Sequence, residues 1–143
     1  ALNGSTTILD LDSLGNLEVT TVTETSSREV KRGFEAVNGL SVLDKVAALP
    51  ITEWSYKADN PAVRHLGPMA EDFHAAFGLG KTDKGLTSID TSGVALAAIQ
   101  GLHQKLVEKD LRIAELEVRL QGLEVMELRL LELEQLVESL MEH

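Results

Sequence analysis

An unbroken helical pattern over the last third of the chain constrains the fold more than any other feature of the sequence. No proline occurs from Val94 to Met141, and apolar residues recur there at alternating steps of three and four, which is typical of a coiled-coil helix. A lone helix of this length would leave its apolar face in water, so we expect copies of the same chain to cover it. This face, the seam, comprises Ile99, Leu102, Leu106, Ile113, Leu116, Leu120, Leu123, Leu130, Leu133, Val137 and Leu140, with Lys109 in one position as a register device.

Two irregularities leave the path of this helix open. The step from Leu123 to Met126 is three where four is expected, as if three residues were inserted into the heptad. A second apolar row lies largely opposite the seam, at Val107, Leu111, Ala114, Val118, Val125 and Leu128. Either the helix is continuous and also packs on its own chain, or it breaks at Gln121–Gly122 and residues 123–142 fold back.

The distribution of aromatic residues divides the chain into three zones. All five aromatic residues lie between Phe34 and Phe77, so we expect a head at residues 26–92, preceded by residues 1–25 and followed by a coiled-coil helix at residues 93–143. The first zone is rich in threonine and predicts two short strands, at 8–12 and 17–20, with a turn at 13–16. Two such strands cannot bury a core alone, so this zone is either a disordered leader or the end of a β-rich stalk.

The head predicts a small α+β fold. We expect helices at Val30–Ala36, at 41–49 with Ser41 as N-cap, and from Pro68 to a stop at Gly78. Strands are expected at 51–56 and near 86–89, and the last helix is expected to be capped within 90–92. The expected core comprises Phe34, Leu43, Val46, Trp54, Tyr56, Leu66, Met69, Phe73 and Phe77.

Composition excludes several classes of function. Thirteen basic residues against 23 acidic ones give a net charge of −10, which argues against binding nucleic acid or an anionic membrane. The chain has no cysteine, which excludes disulfides, thiolate zinc sites and a cysteine nucleophile. Its four histidines lack metal-ligand spacing, so we expect no metal or cofactor. His65 fits a structural histidine better than a base or a ligand.

One pair of residues could carry chemistry. Ser26 and Lys31 are five residues apart, and a serine with a neutral lysine can act as nucleophile and base, the neutral amine being favoured by burial. The same residues also fit an ordinary helix cap followed by solvated charges. The spacing alone leaves both interpretations open.

Six segments occur in an order that matches one known domain. They are Ser26-Ser27-Arg28-Glu29-Val30-Lys31, Leu49-Pro50, Trp54 to Asp59, Arg64 to Phe73, Phe77 to Gly80, and Asp90 with Gly93 to Gln100. Together they are similar to the endosialidase-type C-terminal intramolecular chaperone domain, which ends phage tailspikes and tail fibres, bacterial surface fibres and the myelin regulatory factor family. The resemblance covers roughly residues 20–105.

The resemblance implies a homotrimer whose C-terminal domain brings three chains into register so that the upstream stalk of the same chain can fold. It implies a cell-surface or extracellular fibre, or a phage virion tail. It also implies an alternative activity, a single-turnover self-cleavage in which Ser26 is the nucleophile, Lys31 the base and Thr25–Ser26 the scissile bond. Cleaving members begin with Ser-Asp where this chain has Ser26-Ser27, so whether the chain is an enzyme stays open.

Overall fold

The computed structural model describes residues 10–11 and 17–142, and it combines two small sheets, two short helices and one long helix. The elements are β1 (Asp10–Leu11), β2 (Leu17–Glu18), a 3-10 turn (Arg28–Val30), α1 (Gly39–Ala48), β3 (Thr52–Trp54), β4 (His65–Gly67), α2 (Ala70–Phe77) and α3 (Ser88–Met141). The expected mixture of helices and strands is therefore confirmed.

The first zone contributes one antiparallel strand pair. β1 pairs with β2, with Leu11 opposite Leu17, so the described parts of the two predicted strands meet. The turn predicted at 13–16 lies outside the described residues. From residue 19 to residue 38 the chain is irregular except for the 3-10 turn.

The helix predicted at Val30–Ala36 is wrong. A single 3-10 turn ends at Val30, and Gly33 has a φ of +67°, a left-handed conformation that an α-helix cannot contain. Phe34 therefore sits on an extended segment and not on a helix face.

Helix α1 confirms the second predicted helix but begins earlier. The Asn38 side chain accepts a hydrogen bond from the backbone N–H of Ser41 at 3.1 Å, so Asn38 is the N-cap and the expected cap, Ser41, is inside the helix. Pro50 follows its C-terminal end, as predicted.

The sheet of the head contains a strand that the sequence did not indicate. β3 confirms the strand predicted at 51–56, and it pairs antiparallel with β4, with Trp54 opposite His65. β4 has only three residues, which are too few to show an alternating apolar pattern in the sequence. It forms through its pairing with β3. The strand predicted near 86–89 is wrong, because α3 has already begun at Ser88.

Helix α2 confirms the predicted burial of Phe73. It begins at Ala70, so Pro68 precedes it instead of occupying its first turn. Phe73 is 3% exposed and packs on Phe77 with ring centroids 4.8 Å apart. The helix ends at Gly78 in the left-handed conformation, as predicted.

Helix α3 is continuous over 54 residues, a length of about 80 Å. The fold-back alternative is wrong: Gln121 and Gly122 lie inside the helix, where one glycine costs only about 1 kcal/mol. Its N-cap is Thr87 and not a residue within 90–92, because the Thr87 hydroxyl accepts from the Asp90 N–H at 3.1 Å and donates to the Asp90 carboxylate at 2.7 Å.

The head packs on the first turns of α3. Gly39 of α1 lies against Ala97 and Gly101 of α3, and Lys105 on α3 pairs with Asp44 on α1 at 3.1 Å. The Lys45 ammonium lies 5.7 Å from the centre of the Phe77 ring and connects α1 to α2. The buried apolar residues among those described are Phe73, Val94 and Ala98.

The expected core is only partly buried within one chain. Leu43, Val46, Trp54 and Phe77 are half-buried. The expectation is wrong for four other residues, which are exposed because two-stranded sheets and short helices cover only one side of the head. These four are Phe34, Tyr56, Leu66 and Met69.

The single chain exposes far more surface than a globular protein of its mass. Its accessible surface is 12637 Å², whereas a folded monomer of 15.5 kDa exposes about 7200 Å². Two parts of the chain contribute to this excess: helix α3, which is exposed from residue 106 to its end, and the irregular segment at residues 20–38.

Candidate functional site

The structure brings Ser26 and Lys31 together. The Lys31 ammonium donates a hydrogen bond to the Ser26 hydroxyl oxygen at 2.6 Å, within the distance needed for proton transfer. The 3-10 turn between them causes this proximity, because it folds the intervening residues back so that positions five apart lie side by side.

A second serine forms the turn. The Ser27 hydroxyl accepts from the Glu29 N–H at 3.2 Å, and the Ser27 carbonyl accepts from the Val30 N–H at 3.4 Å. The cap interpretation and the nucleophile interpretation therefore apply to two different serines. Ser27 caps the turn, and Ser26 contacts the lysine. In a Ser-Asp sequence the aspartate would occupy position 27, and its carboxylate could accept the same N–H. The Ser27 hydroxyl therefore provides the capping acceptor that the aspartate would otherwise provide.

The pair is open to solvent within one chain. Ser26 and Lys31 are both exposed, and they lie between two grooves. One groove, of about 540 Å³, is lined by Ser26, Arg28, Lys31 and Phe34. The burial expected of a lysine base is therefore not provided by a single copy of the chain.

The other groove places the pair beside the first turns of α3. It has a volume of about 610 Å³, and its walls are the segment before Ser26 and the helix residues Ser88, Ile89, Ser92, Gly93 and Leu96. Counting back from Ile99 in the spacing of the seam reaches Ser92 and Ser88. The other three helix residues, Ile89, Gly93 and Leu96, lie about five full turns before Val107, Leu111 and Ala114 of the second apolar row. The groove therefore borders the seam and does not open on it.

The seam is exposed along its whole length. Its members are between 46% and 71% exposed, and the stretch from Ile113 to Leu123 forms a shallow groove of about 480 Å³. The second apolar row is exposed as well. Helix α3 does pack on the head of its own chain, but the contacts lie before Val107, where this row begins. The head reaches only as far as Lys105 on α3.

His65 belongs to an aromatic cluster in the head. Its ring stacks on Trp54 at 4.7 Å and meets the edge of Tyr56 at 5.3 Å. Among the described residues, the buried His65 Nε2 and Trp54 Nε1 have no hydrogen-bond partner. Within residues 10–11 and 17–142, no group of acidic and histidine side chains is arranged to hold a metal ion.

One contact near the site was not predicted from the sequence. The Ser88 hydroxyl donates to the Glu24 carboxylate at 2.6 Å, across 64 residues of chain. No local pattern connects two residues so far apart, and finding them needs the position of the α3 N-terminus relative to the segment before Ser26.

Comparison with known families found one match, within the head. The family model described as the chaperone of endosialidase matches residues 26–78, a segment that begins at Ser26 and ends at the stop of α2. The resemblance to the endosialidase-type chaperone domain is thereby confirmed for this segment, and the match supports an intramolecular chaperone role. No curated protein matches the chain significantly.

The long helix is not a membrane span. Across the described part of the chain, no helix combines the length and the apolar character that crossing a bilayer requires. The seam residues of α3 alternate with charged ones, so its apolar surface is a stripe and not a continuous belt.

Proposed function

We propose that this chain is the C-terminal intramolecular chaperone of a fibre protein, which trimerises and sets the register of three chains so that the upstream β stalk can fold. The observation that carries the proposal is the seam, an apolar stripe exposed over most of an 80 Å helix directly attached to the matched head. Such a fibre would stand on a cell surface, in the extracellular space or on a phage virion tail.

Two features of the seam support a role in register. Lys109 occupies one seam position, and a single polar residue in a coiled-coil core fixes alignment because only one register lets it reach water or a partner. The three-residue step at Met126 changes the local winding, so misaligned helices would place this irregularity against regular heptads. A helix aligned in this way would bring three copies of β1 and β2 to the same height.

The seam is tested by adding charge to it. Leu116→Asp together with Leu120→Asp would bury two carboxylates per chain in the assembled coil. We expect loss of the oligomer and of most α-helical circular dichroism. Gln121→Asp adds the same side chain to the same helix away from the seam and should leave both unchanged. If the double variant keeps the wild-type mass and melting temperature, the seam does not mediate association.

A second candidate function, self-cleavage, is favoured by the 2.6 Å contact between Ser26 and Lys31. In this reaction the neutral Lys31 amine takes the proton of the Ser26 hydroxyl while the oxygen attacks the carbonyl carbon of Thr25. The peptide C–N bond breaks, the proton passes to the Ser26 nitrogen, and an ester remains. Water then hydrolyses the ester, giving a Thr25 carboxylate and a free Ser26 hydroxyl, in one turnover per chain.

Trimerisation would supply the burial that the single chain lacks. The groove beside Ser26 and Lys31 borders the seam face of α3, so a neighbouring copy packed on the seam would lie next to the pair and reduce its contact with water. Exclusion of water favours the neutral amine. Cleavage would then follow assembly, after the stalk chains have been aligned.

Intact mass decides whether cleavage occurs. Cleavage divides the chain into residues 1–25 and 26–143, whereas the chaperone alone leaves one species of 15.5 kDa. Ser26→Ala and Lys31→Ala should each abolish the fragments and still give the oligomer. Arg32→Ala removes a neighbouring cation and should cleave normally. Fragments that persist in Ser26→Ala would come from another protease.

A further inference from the structure

The segment before Ser26 is held by a contact that the cleavage chemistry does not use. Glu24, two residues upstream of Ser26, accepts a hydrogen bond from Ser88 in the first turn of α3 at 2.6 Å. The same segment forms one wall of the 610 Å³ groove, and the first turns of α3 form the other. All residues from 20 to 30 are exposed, so this stretch has little packing. The hydrogen bond between Ser88 and Glu24 therefore connects it to α3.

The position of this contact relative to the scissile bond is informative. Lys31 holds Ser26 from the C-terminal side at 2.6 Å, and Ser88 holds Glu24 from the N-terminal side at the same distance. The bond between Thr25 and Ser26 lies between these two anchors. Attack by a hydroxyl requires its oxygen and the carbonyl carbon to be held about 3–3.5 Å apart, and a segment fixed at both ends reaches that arrangement more often than a free one.

We propose that Ser88 and Glu24 are positioning residues that dock the segment to be cut on α3. This inference rests on the self-cleavage proposed above for its catalytic consequence, whereas the docking itself does not depend on cleavage. It gives α3 two roles: its seam assembles the chains, and its first turn presents Thr25 to Ser26. A chain in which α3 has not formed would then lack both the oligomer and the docked segment.

The docking is tested in a chain that cannot cut itself. A glutamate-specific endopeptidase must bind the Glu24 side chain before it cuts after this residue. In a Ser26→Ala background, it can therefore cut there only while the hydrogen bond between Glu24 and Ser88 is broken. We expect Ser88→Ala to speed this cut roughly three- to tenfold, because a hydrogen bond to a charged acceptor is lost. Ser88→Thr, which keeps the hydroxyl, should restore the slow rate, and the cut after Glu29 serves as the internal reference. An unchanged rate in Ser88→Ala overturns the docking.

The positioning role is tested with Ser26 intact. We expect self-cleavage to slow roughly three- to tenfold in Ser88→Ala and Glu24→Ala. Ser88→Thr and Glu24→Gln should restore it, since the glutamine amide oxygen also accepts, and the oligomer should be unchanged in all four. Cleavage at the wild-type rate in Ser88→Ala overturns the positioning role and leaves self-cleavage standing. If the native chain is never cut, self-cleavage and positioning both fail, and the endopeptidase assay alone decides the docking.

Discussion

Gly39 and Gly101 bring the backbones of α1 and α3 so close that neither position has room for a β-carbon. A β-carbon on Gly39 would lie 2.9 Å from the Ala97 carbonyl oxygen and the Gly101 nitrogen, and one on Gly101 would collide with the backbone of Gly39. The obstructing atoms are backbone atoms, so the helices themselves must move to accept a side chain. This crossing fixes the head on the helix that carries the seam.

Gly101→Ala should therefore destabilise the protein although alanine is the better helix former. We expect a loss of about 1–3 kcal/mol per chain, since overpacking outweighs the gain in helix propensity. Gly122→Ala is the matched control in the same helix: its β-carbon meets nothing within 4 Å, and it should stabilise by about 0.5–1 kcal/mol. Urea unfolding of both variants measures the difference. Two equal effects would contradict the close crossing.

Phe73→Ala should remove much of the small core. Phe73 is 3% exposed and contacts Phe77, so its loss should cost about 3–5 kcal/mol per chain. Phe34→Ala provides a contrast, because Phe34 is 68% exposed and its removal from a single chain should cost little. If Phe34→Ala is as harmful as Phe73→Ala in the oligomer, another copy covers Phe34. Thermal unfolding at several protein concentrations separates the two cases.

The loop before α3 should respond to pH through one ion pair. A hydrogen bond from Lys84 lowers the pKa of Glu71 from its usual 4.5, and hydrogen bonds to Glu71 and Asp83 raise the pKa of Lys84 from its usual 10.5. The stabilisation that ionised Glu71 adds to the folded state is thus fully present above pH 4.5, and it is lost as pH falls through the lowered pKa. The contribution from Lys84 is present below pH 10.5 and is lost as pH rises through the raised pKa. The pair is solvent-exposed, so its effect on global stability should be small.

Carboxyl NMR titration measures this interaction directly. Lys84→Met should return the midpoint of Glu71 toward its usual value. Lys81→Met removes a cation from the same loop and should leave the midpoint in place. A Glu71 midpoint that does not move in Lys84→Met would show that the 2.9 Å contact is absent in solution.

The proposed self-cleavage should accelerate with pH. A lysine accepts a hydroxyl proton only as the neutral amine, so the rate of cleavage should rise when it is followed from about pH 6 to about pH 9. The appearance of the fragment that begins at Ser26, followed by mass spectrometry, gives the rate at each pH. A rate that falls over this range would contradict a lysine base.

Features set by local sequence were predictable, and features set by distant contacts were not. The long helix, the stop at Gly78 and the burial of Phe73 follow from apolar spacing and glycine within a few residues. The Thr87 cap is also a local feature, because it is a threonine followed three residues later by Asp90. The cap was nevertheless predicted too late in the chain, within residues 90–92. In contrast, β4, the crossing of Gly39 with Gly101 and the contact of Glu24 with Ser88 each depend on residues far apart in the chain.

The same distinction explains the candidate site and the core. Ser26 and Lys31 are five residues apart, so one turn brings them together and their spacing was enough to select them. The core was predicted from apolar character and spacing, which do not distinguish burial within a chain from burial between chains. Tyr56 and Leu66 are apolar enough for a core and yet exposed here.

The mass of the particle in solution tests the central claim most directly. Light scattering on the Ser26→Ala chain, which cannot change mass by self-cleavage, should give three times the chain mass of 15.5 kDa, and the melting temperature should rise with protein concentration. A folded monomer whose melting temperature does not depend on concentration would contradict the proposal that three copies of the seam assemble this domain.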